Sequence, residues 1–338
     1  MDDRLRLIER NTQEIITREE LVHLLETKNK PTVYLGTAIT GRPHIGYFAW
    51  VQKLADFLKA GFHVKVLLAD IHGALDNTPW ELLEKRYQYY EIVIPAMIES
   101  VGGNLENFEI VKGSSFELEK DYVMDILKMS TQASVHDTNK AASEVVKMGD
   151  NPKLSGMIYP IMQALDEVYL DADVQLGAID QRKIFVFARE FLPKLGYKPR
   201  VEVMIPFIRG LTIDGKMSSS NKVSKVDLLD DEHTIKEKLK NAYCEVGNPE
   251  NGVLDFAETV IMTQKMDRGE PFVIERPEKW GGNLVYHTKE ELHESFLKEL
   301  HPQDLKNAVA REINILLEPI RKKFHGKDQL IKDAYPDE

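Results

Sequence analysis

Three stretches of this chain hold residue types that could do chemistry. The first, residues 34–47, reads YLGTAITGRPHIGY and sets glycines, two threonines and His44 between an apolar run and a helical pattern. A glycine-rich loop entering a helix N-terminus is a ready anion site, because unpaired backbone N–H groups and the helix dipole face the ligand. The second, residues 210–225, reads GLTIDGKMSSSNKVSK. It sets the fixed charge of Lys216 beside the hydroxyls of Ser218, Ser219 and Ser220, a set suited to touching phosphate oxygens as charge develops on them. A solvated serine linker has the same composition.

The third stretch is YPIMQALDEVY, residues 159–169. Tyr159, Gln163 and Asp166 follow at i, i+4 and i+7, so one helix face carries all three. The positions between them, including Ile161, Met162, Leu165 and Val168, are apolar. A carboxylate on a mostly buried helix is costly unless it is hydrogen-bonded. Its partner could be a ligand hydroxyl or ammonium, or a purely structural network.

These residues need a scaffold, and the flanking patterns describe one. Apolar runs at 32–35, 64–69 and 108–111 read as buried strands. Helical patterns cover 4–11, 18–27, 45–58, 79–101 and 121–148. Alternation of this kind predicts an α/β, Rossmann-like fold, a parallel sheet with helices on both faces. Ligands in such sheets bind beyond the carboxyl ends of the strands, where the first loop, His72 and residues 114–117 should fall. Past about residue 232 the pattern turns helical and highly charged, at 233–242, 288–299 and 303–323, with loops at 248–252 and 276–283. The expected division is a catalytic domain over 1–232 and a smaller, mainly helical domain over 233–338.

The 338 residues are 43% hydrophobic and 29% charged, enough for a sizeable core. No stretch approaches a membrane span, and the N-terminus lacks the basic start and apolar run of a signal peptide. The single cysteine, Cys244, excludes an internal disulfide framework and fits a reducing interior, so a cytoplasmic protein without membrane partners is expected. A net charge of −11 argues against a strongly basic nucleic-acid face, although a local patch can hide within it.

Taken together, HIGY at 44–47 and KMSSS at 216–220 resemble the paired ATP-binding signatures of class I aminoacyl-tRNA synthetases. YPIMQALDEVYL, GAIDQRKIF at 177–185, LLADIH, RPEKWGG and LHPQDLKNAV extend the likeness over nearly the whole chain, to the tyrosyl-tRNA synthetases of archaea and the eukaryotic cytosol. The resemblance implies activation of L-tyrosine with ATP and Mg²⁺, transfer to tRNA(Tyr), and a homodimer, with no tightly bound cofactor and no resident metal. It places His44, Lys216, Ser218, Ser219 and Ser220 at the reacting phosphates, with Gly36, Gly41, Gly46 and Met217 around ATP and Asp180 at the ribose. Tyr34 and Asp166 would bind the phenolic hydroxyl, beside Gly36, and Tyr159, Gln163 and Gln181 would hold the α-ammonium. Trp280 and Asp304 would read the first anticodon base, while Arg182 and Lys183 are candidates for the acceptor stem or for a salt bridge.

Two positions depart from the signatures: Tyr47 stands where a second histidine is usual, and Ser219 where a second lysine is usual. Glu117, in Ser115-Phe116-Glu117, stands where archaeal relatives often carry glutamine, and would bring a further carboxylate near Asp166. The helix at 79–101 with the strand at 108–111 is the expected dimer interface. The chain's end at Glu338 reads as a minimal form of the enzyme. The alternatives are a tryptophanyl-tRNA synthetase, which gives no reason for both Tyr34 and Asp166, and a non-catalytic RNA-binding descendant, which gives no reason for two intact ATP loops.

Overall fold

The computed structural model describes residues 2–146, 151–213, 215, 217 and 223–336. Lys216, Ser218, Ser219 and Ser220 therefore lie outside the described residues. The main sheet contains β1 (Glu14–Ile16), β2 (Thr32–Ala38), β3 (His63–Ala69), β4 (Phe108–Lys112), β5 (Val174–Ala178) and β6 (Val201–Ile205). Their order is β1-β6-β5-β2-β3-β4. β2 to β6 are parallel, and β1 closes one edge antiparallel to β6. Covered on both faces, the central strands carry near-continuous apolar runs such as Val33-Tyr34-Leu35 and Val66-Leu67-Leu68, all buried.

The helices of this half are α1 (Asp2–Glu9), α2 (Arg18–Thr27), α3 (Phe48–Lys59), α4 (Asp70–Leu75), α5 (Leu83–Ser100), α6 (Lys120–Ser130), α7 (Val135–Ala142), α8 (Leu154–Tyr169) and α9 (Arg182–Phe191). From β2 the chain builds outward through β3 to β4, then crosses back to β5 and continues to β6. The crevice between β2 and β5 is thus the switch point, where such sheets take their ligands. β1, β5 and β6 are additional to the strands expected from the sequence. The helix expected over 121–148 is broken into α6 and α7. Ser134 accepts from the Asp137 N–H and Asp137 accepts from the Ser134 N–H, a reciprocal cap that starts a new helix.

The C-terminal half contains α10 (Glu232–Asn241), α11 (Gly252–Phe256), α12 (Met262–Arg268), β7 (Phe272–Ile274), β8 (Leu284–Tyr286), α13 (Lys289–Lys298), α14 (Pro302–Lys323) and α15 (Asp328–Ala334). The loop expected over 276–283 joins the antiparallel β7–β8 hairpin. α14 and α15 pack on α5, whose Tyr89, Val93, Ile94 and Met97 are fully buried. The apolar face of α5 is therefore covered within the chain. Exposed apolar side chains lie at Trp80, just before α5, on α6 at Val123, Met124 and Leu127, and at Leu118 before it.

The two halves share one core: Phe48 and Phe256 meet edge to face at 6.2 Å. Arg10 adds a fork of hydrogen bonds to Asp267, at 2.6 and 2.9 Å.

Candidate active site

His44 follows β2 and its loop as the N-cap of a tight turn, Ile45–Tyr47, that leads into α3. Its Nδ1 accepts the Gly46 N–H at 3.2 Å, which puts the ring proton on Nε2. Burial, and then the charge of nearby Lys225, push its pKa down to about 3. At neutral pH His44 is an uncharged hydrogen-bond donor, so it brings polarity to a phosphate and no charge.

The second signature loop packs directly against this turn. A Cβ on Gly46 would sit 2.9 Å from the His44 ring and 3.2 Å from Met217 Sδ, so only glycine lets the two loops approach. The Ile45 N–H donates to the Val226 carbonyl at 3.0 Å, and His44 pairs antiparallel with Asp227. Arg42 donates to Asp227 at 2.8 Å. Tyr47 puts its hydroxyl 3.1 Å from that of Tyr90, which donates to the Gly41 carbonyl at 2.6 Å. The Tyr335 hydroxyl donates to the same carbonyl at 3.3 Å. Gly41 is buried in that network.

At the switch point lies a cavity of about 310 Å³, within the range of roughly 300–1,000 Å³ typical of small-molecule sites. Tyr34 and Gly36 of β2, Tyr159, Gln163 and Asp166 of α8, and Asp180 and Gln181 after β5 all line it. Sheet register sets Tyr34 beside Gln175. The Gln175 amide donates to the Tyr34 hydroxyl at 2.6 Å, and that hydroxyl donates to the Gln163 carbonyl at 3.3 Å. Asp166 accepts from the Tyr122 hydroxyl at 2.7 Å. Gln163 donates to Gln181 at 2.9 Å, leaving its own amide oxygen as an acceptor, and Gln181 donates to Asp180 at 3.3 Å.

α4 begins where β3 ends and brings His72 to the same wall. Its ring meets Tyr159 edge to face at 4.7 Å. Nδ1 faces Glu117 Oε1 at 3.2 Å and Nε2 faces Asp166 Oδ2 at 3.7 Å, and all three side chains are buried. Burial opposes the charge of His72, but Asp166 and Glu117 outweigh it and raise its pKa. Burial likewise raises the pKa of Asp166, with His72 pulling it back and Glu117 adding to the rise.

The structure therefore gathers the expected amino-acid residues in one cavity, and packs His44, Gly46 and Met217 together in the adjoining loop pair. Arg182 forks onto Glu14 at 2.7 and 2.9 Å, and Lys183 meets Glu144 at 2.8 Å, which is the salt-bridge alternative for both. Trp280 is 66% exposed on the hairpin loop, with Lys279 stacked 5.4 Å over its ring, and Asp304 lies half-buried in the first turn of α14. Gln175 and Tyr122 were not expected, since no motif marks them. Only strand register and helix packing bring them to Tyr34 and Asp166.

A cavity at the switch point of a parallel sheet, with the first loop packed against Met217 of the second, is the arrangement of a class I aminoacyl-tRNA synthetase. Residues 26–318 match the family model described as tRNA synthetases class I (W and Y). The chain is 48% identical over 340 residues to the cytoplasmic tyrosine–tRNA ligase of Gallus gallus, spanning 99% of this chain and 63% of the chicken protein. It is 42% identical over 339 residues to the tyrosine–tRNA ligase of Haloarcula marismortui, covering 99% and 97% of the two chains. It superimposes on the crystal structure of the Archaeoglobus fulgidus tyrosyl-tRNA synthetase complexed with L-tyrosine with a TM-score of 0.88, at 41% identity, covering 95% and 99%. The chain belongs to the tyrosyl-tRNA synthetases of the archaeal and eukaryotic cytosolic type. Among its described residues no helix is long and apolar enough to cross a membrane.

Proposed function

We propose that this chain activates L-tyrosine with ATP and transfers it to the terminal ribose of tRNA(Tyr), in the cytoplasm. The observation that carries this reading is that Tyr34 and Asp166 line one cavity, with Tyr159, Gln163 and Gln181 beside them. A phenol both donates and accepts, so one carboxylate and one tyrosine satisfy it. Phenylalanine would forfeit the bonds that the substrate hydroxyl makes to both wall groups, at roughly 1–3 kcal/mol each. Tryptophan has no hydroxyl for them either. The printed names of the relatives, and the tyrosine bound in the Archaeoglobus structure, agree with this choice.

In the first step the tyrosine carboxylate oxygen bonds to the α-phosphorus in line, and the bond to pyrophosphate breaks. Such a transfer needs positioning and charge neutralisation rather than covalent help. His44 donates a neutral Nε2–H to a phosphate oxygen, Lys216 supplies fixed charge, and Gly46 keeps the backbone close. Mg²⁺ accompanying ATP neutralises phosphate charge. In the second step a ribose hydroxyl attacks the tyrosyl carbonyl and AMP leaves. Tyrosine-dependent ATP–pyrophosphate exchange followed by charging of tRNA tests the whole reading.

Residues 233–338 would read the anticodon, with exposed Trp280 as a stacking platform and Asp304 on a base edge. Trp280→Ala removes stacking of roughly 1–3 kcal/mol, and Asp304→Ala removes base-edge hydrogen bonds. Both variants should show unchanged pyrophosphate exchange and at least about tenfold slower charging at limiting tRNA. Wild-type charging by both would take the anticodon role away from this half. The functional unit is taken to be a homodimer, with the apolar patch on α6 in place of α5 as its contact. Light scattering at micromolar concentration should give about twice 38.7 kDa, and a single-chain mass would refute the dimer.

A further inference from the structure

Glu117 takes no part in the chemistry above and does not line the cavity, yet it is fully buried beside it. Its carboxyl lies against Gly113, where a Cβ would come within 2.7 Å of Oε2. Neither Glu117 oxygen and neither His72 nitrogen makes a well-aligned hydrogen bond. The buried carboxyl of Glu117 is costly without such a bond unless a charge offsets it, and Asp166 accepts from Tyr122 on its far side. The imidazole of His72 stands between them, one nitrogen toward each. These atoms all fall within 4.8 Å of one another, a spacing that could also suit a metal ion. A single ion, however, would bind only one ring nitrogen, whereas here each nitrogen addresses a different carboxyl. That is the geometry of an imidazolium bridging two acids.

We propose that Glu117 and His72 form a buried ionic relay that draws Asp166 toward its ionised form as acceptor for the substrate's para-hydroxyl. Glu117 is then a positioning residue for tyrosine recognition. The inference rests on the tyrosine reading above and deepens it. Glu117 also repels Asp166 directly, but His72 acts on Asp166 more strongly. Discharging His72 therefore costs Asp166 more than removing the repulsion returns. The ionisable groups around His72 are Asp70 on its own helix, Glu117 after Gly113, Asp166 and Tyr159 on α8, Tyr122 behind Asp166, and Tyr34 across the cavity.

The sign follows from which state binds tyrosine. His72 must hold its proton and Asp166, raised by burial to about 8, must lose its own, so affinity rises as Asp166 ionises and falls as pH rises through the pKa of His72. Glu117 raises that pKa, so Glu117→Gln moves the fall to lower pH. The test is calorimetric titration of L-tyrosine, without ATP, into wild type, Glu117→Gln, His72→Gln and the double variant from pH 6 to 9. An unchanged KM for ATP in the exchange assay shows that each variant is folded. We expect Glu117→Gln to bind about tenfold more weakly at pH 8 and within about twofold at pH 6. His72→Gln should lose the pH-dependent limb, and adding Glu117→Gln to it should cost nothing more.

An unmoved limb in Glu117→Gln, or effects that multiply in the double variant, would overturn the relay while leaving the tyrosine assignment intact. Affinity lost on dialysis against EDTA and restored by zinc would replace the relay with a metal centre. Failure of the wild type to bind tyrosine at any pH would sink the tyrosine reading, and the relay with it.

Discussion

Asp166→Ala is expected to raise the KM for tyrosine by about 10- to 100-fold, the loss of a charge-assisted hydrogen bond of roughly 1.5–3 kcal/mol. The carboxylate holds its place through Tyr122, whose hydroxyl donates to it at 2.7 Å, and through His72 at 3.7 Å. Its removal leaves the substrate phenol without an acceptor and the Tyr122 hydroxyl with only the Met162 carbonyl, 2.9 Å away. The interaction is present in the ground state and the transition state alike, so kcat at saturation should change far less than kcat/KM. The KM for ATP should stay within about twofold, because Asp166 lies on the amino-acid side of the cleft. Selectivity for tyrosine over phenylalanine should collapse by the same factor, since phenylalanine never used the lost acceptor. Steady-state exchange with both amino acids checks all of this, and an unchanged KM for tyrosine would show that Asp166 serves a structural network instead.

Lys216→Ala should slow adenylate formation by about 10²–10³-fold in single-turnover experiments, the scale of losing one group that stabilises transition-state charge. Tyrosine binding at equilibrium should be unaffected, because the charge matters when pyrophosphate leaves. The expected size rests on the neutrality of His44. With Nδ1 accepting from Gly46, and with burial and Lys225 holding its pKa near 3, His44 offers a hydrogen bond and no charge. Ser219, standing where a second lysine is usual, offers none either. A variant that lost tyrosine affinity but kept its single-turnover rate would contradict this placement.

What the sequence made legible, and what it hid, divides along physical lines. The face formed by Tyr159, Gln163 and Asp166 follows from helix periodicity alone, and all three line the cavity. The loop-to-helix junction at His44 was equally readable, because glycines between an apolar run and an amphipathic one have few other uses. The protonation state of His44 was not readable. It depends first on burial and then on Lys225, which is brought near by the pairing of Ile45 with Val226, a contact between residues far apart in the chain. Gln175 stayed hidden for a similar reason: only the β2–β5 register puts it beside Tyr34.

The short strands β5 and β6 carry Gln175 and Glu202 among apolar residues, which blurs the buried-strand signal. The packing of α5 was not readable either: its buried face meets the chain's own α14 and α15, segments more than two hundred residues on in the chain. Glu117 could be noticed as a departure, but its meaning depends on His72 lying between it and Asp166, a contact that spans three separate segments.

The central claim is that this cavity selects a para-hydroxylated aromatic amino acid for adenylation. The measurement that meets it most directly is ATP–pyrophosphate exchange by the full chain, with tyrosine, phenylalanine and tryptophan assayed side by side under identical conditions. Tyrosine should support exchange at micromolar to low-millimolar concentration, while the other two give kcat/KM values lower by at least about 10²-fold, as the loss of both bonds to the substrate hydroxyl requires. Exchange driven equally well by phenylalanine, or better by tryptophan, would contradict the account.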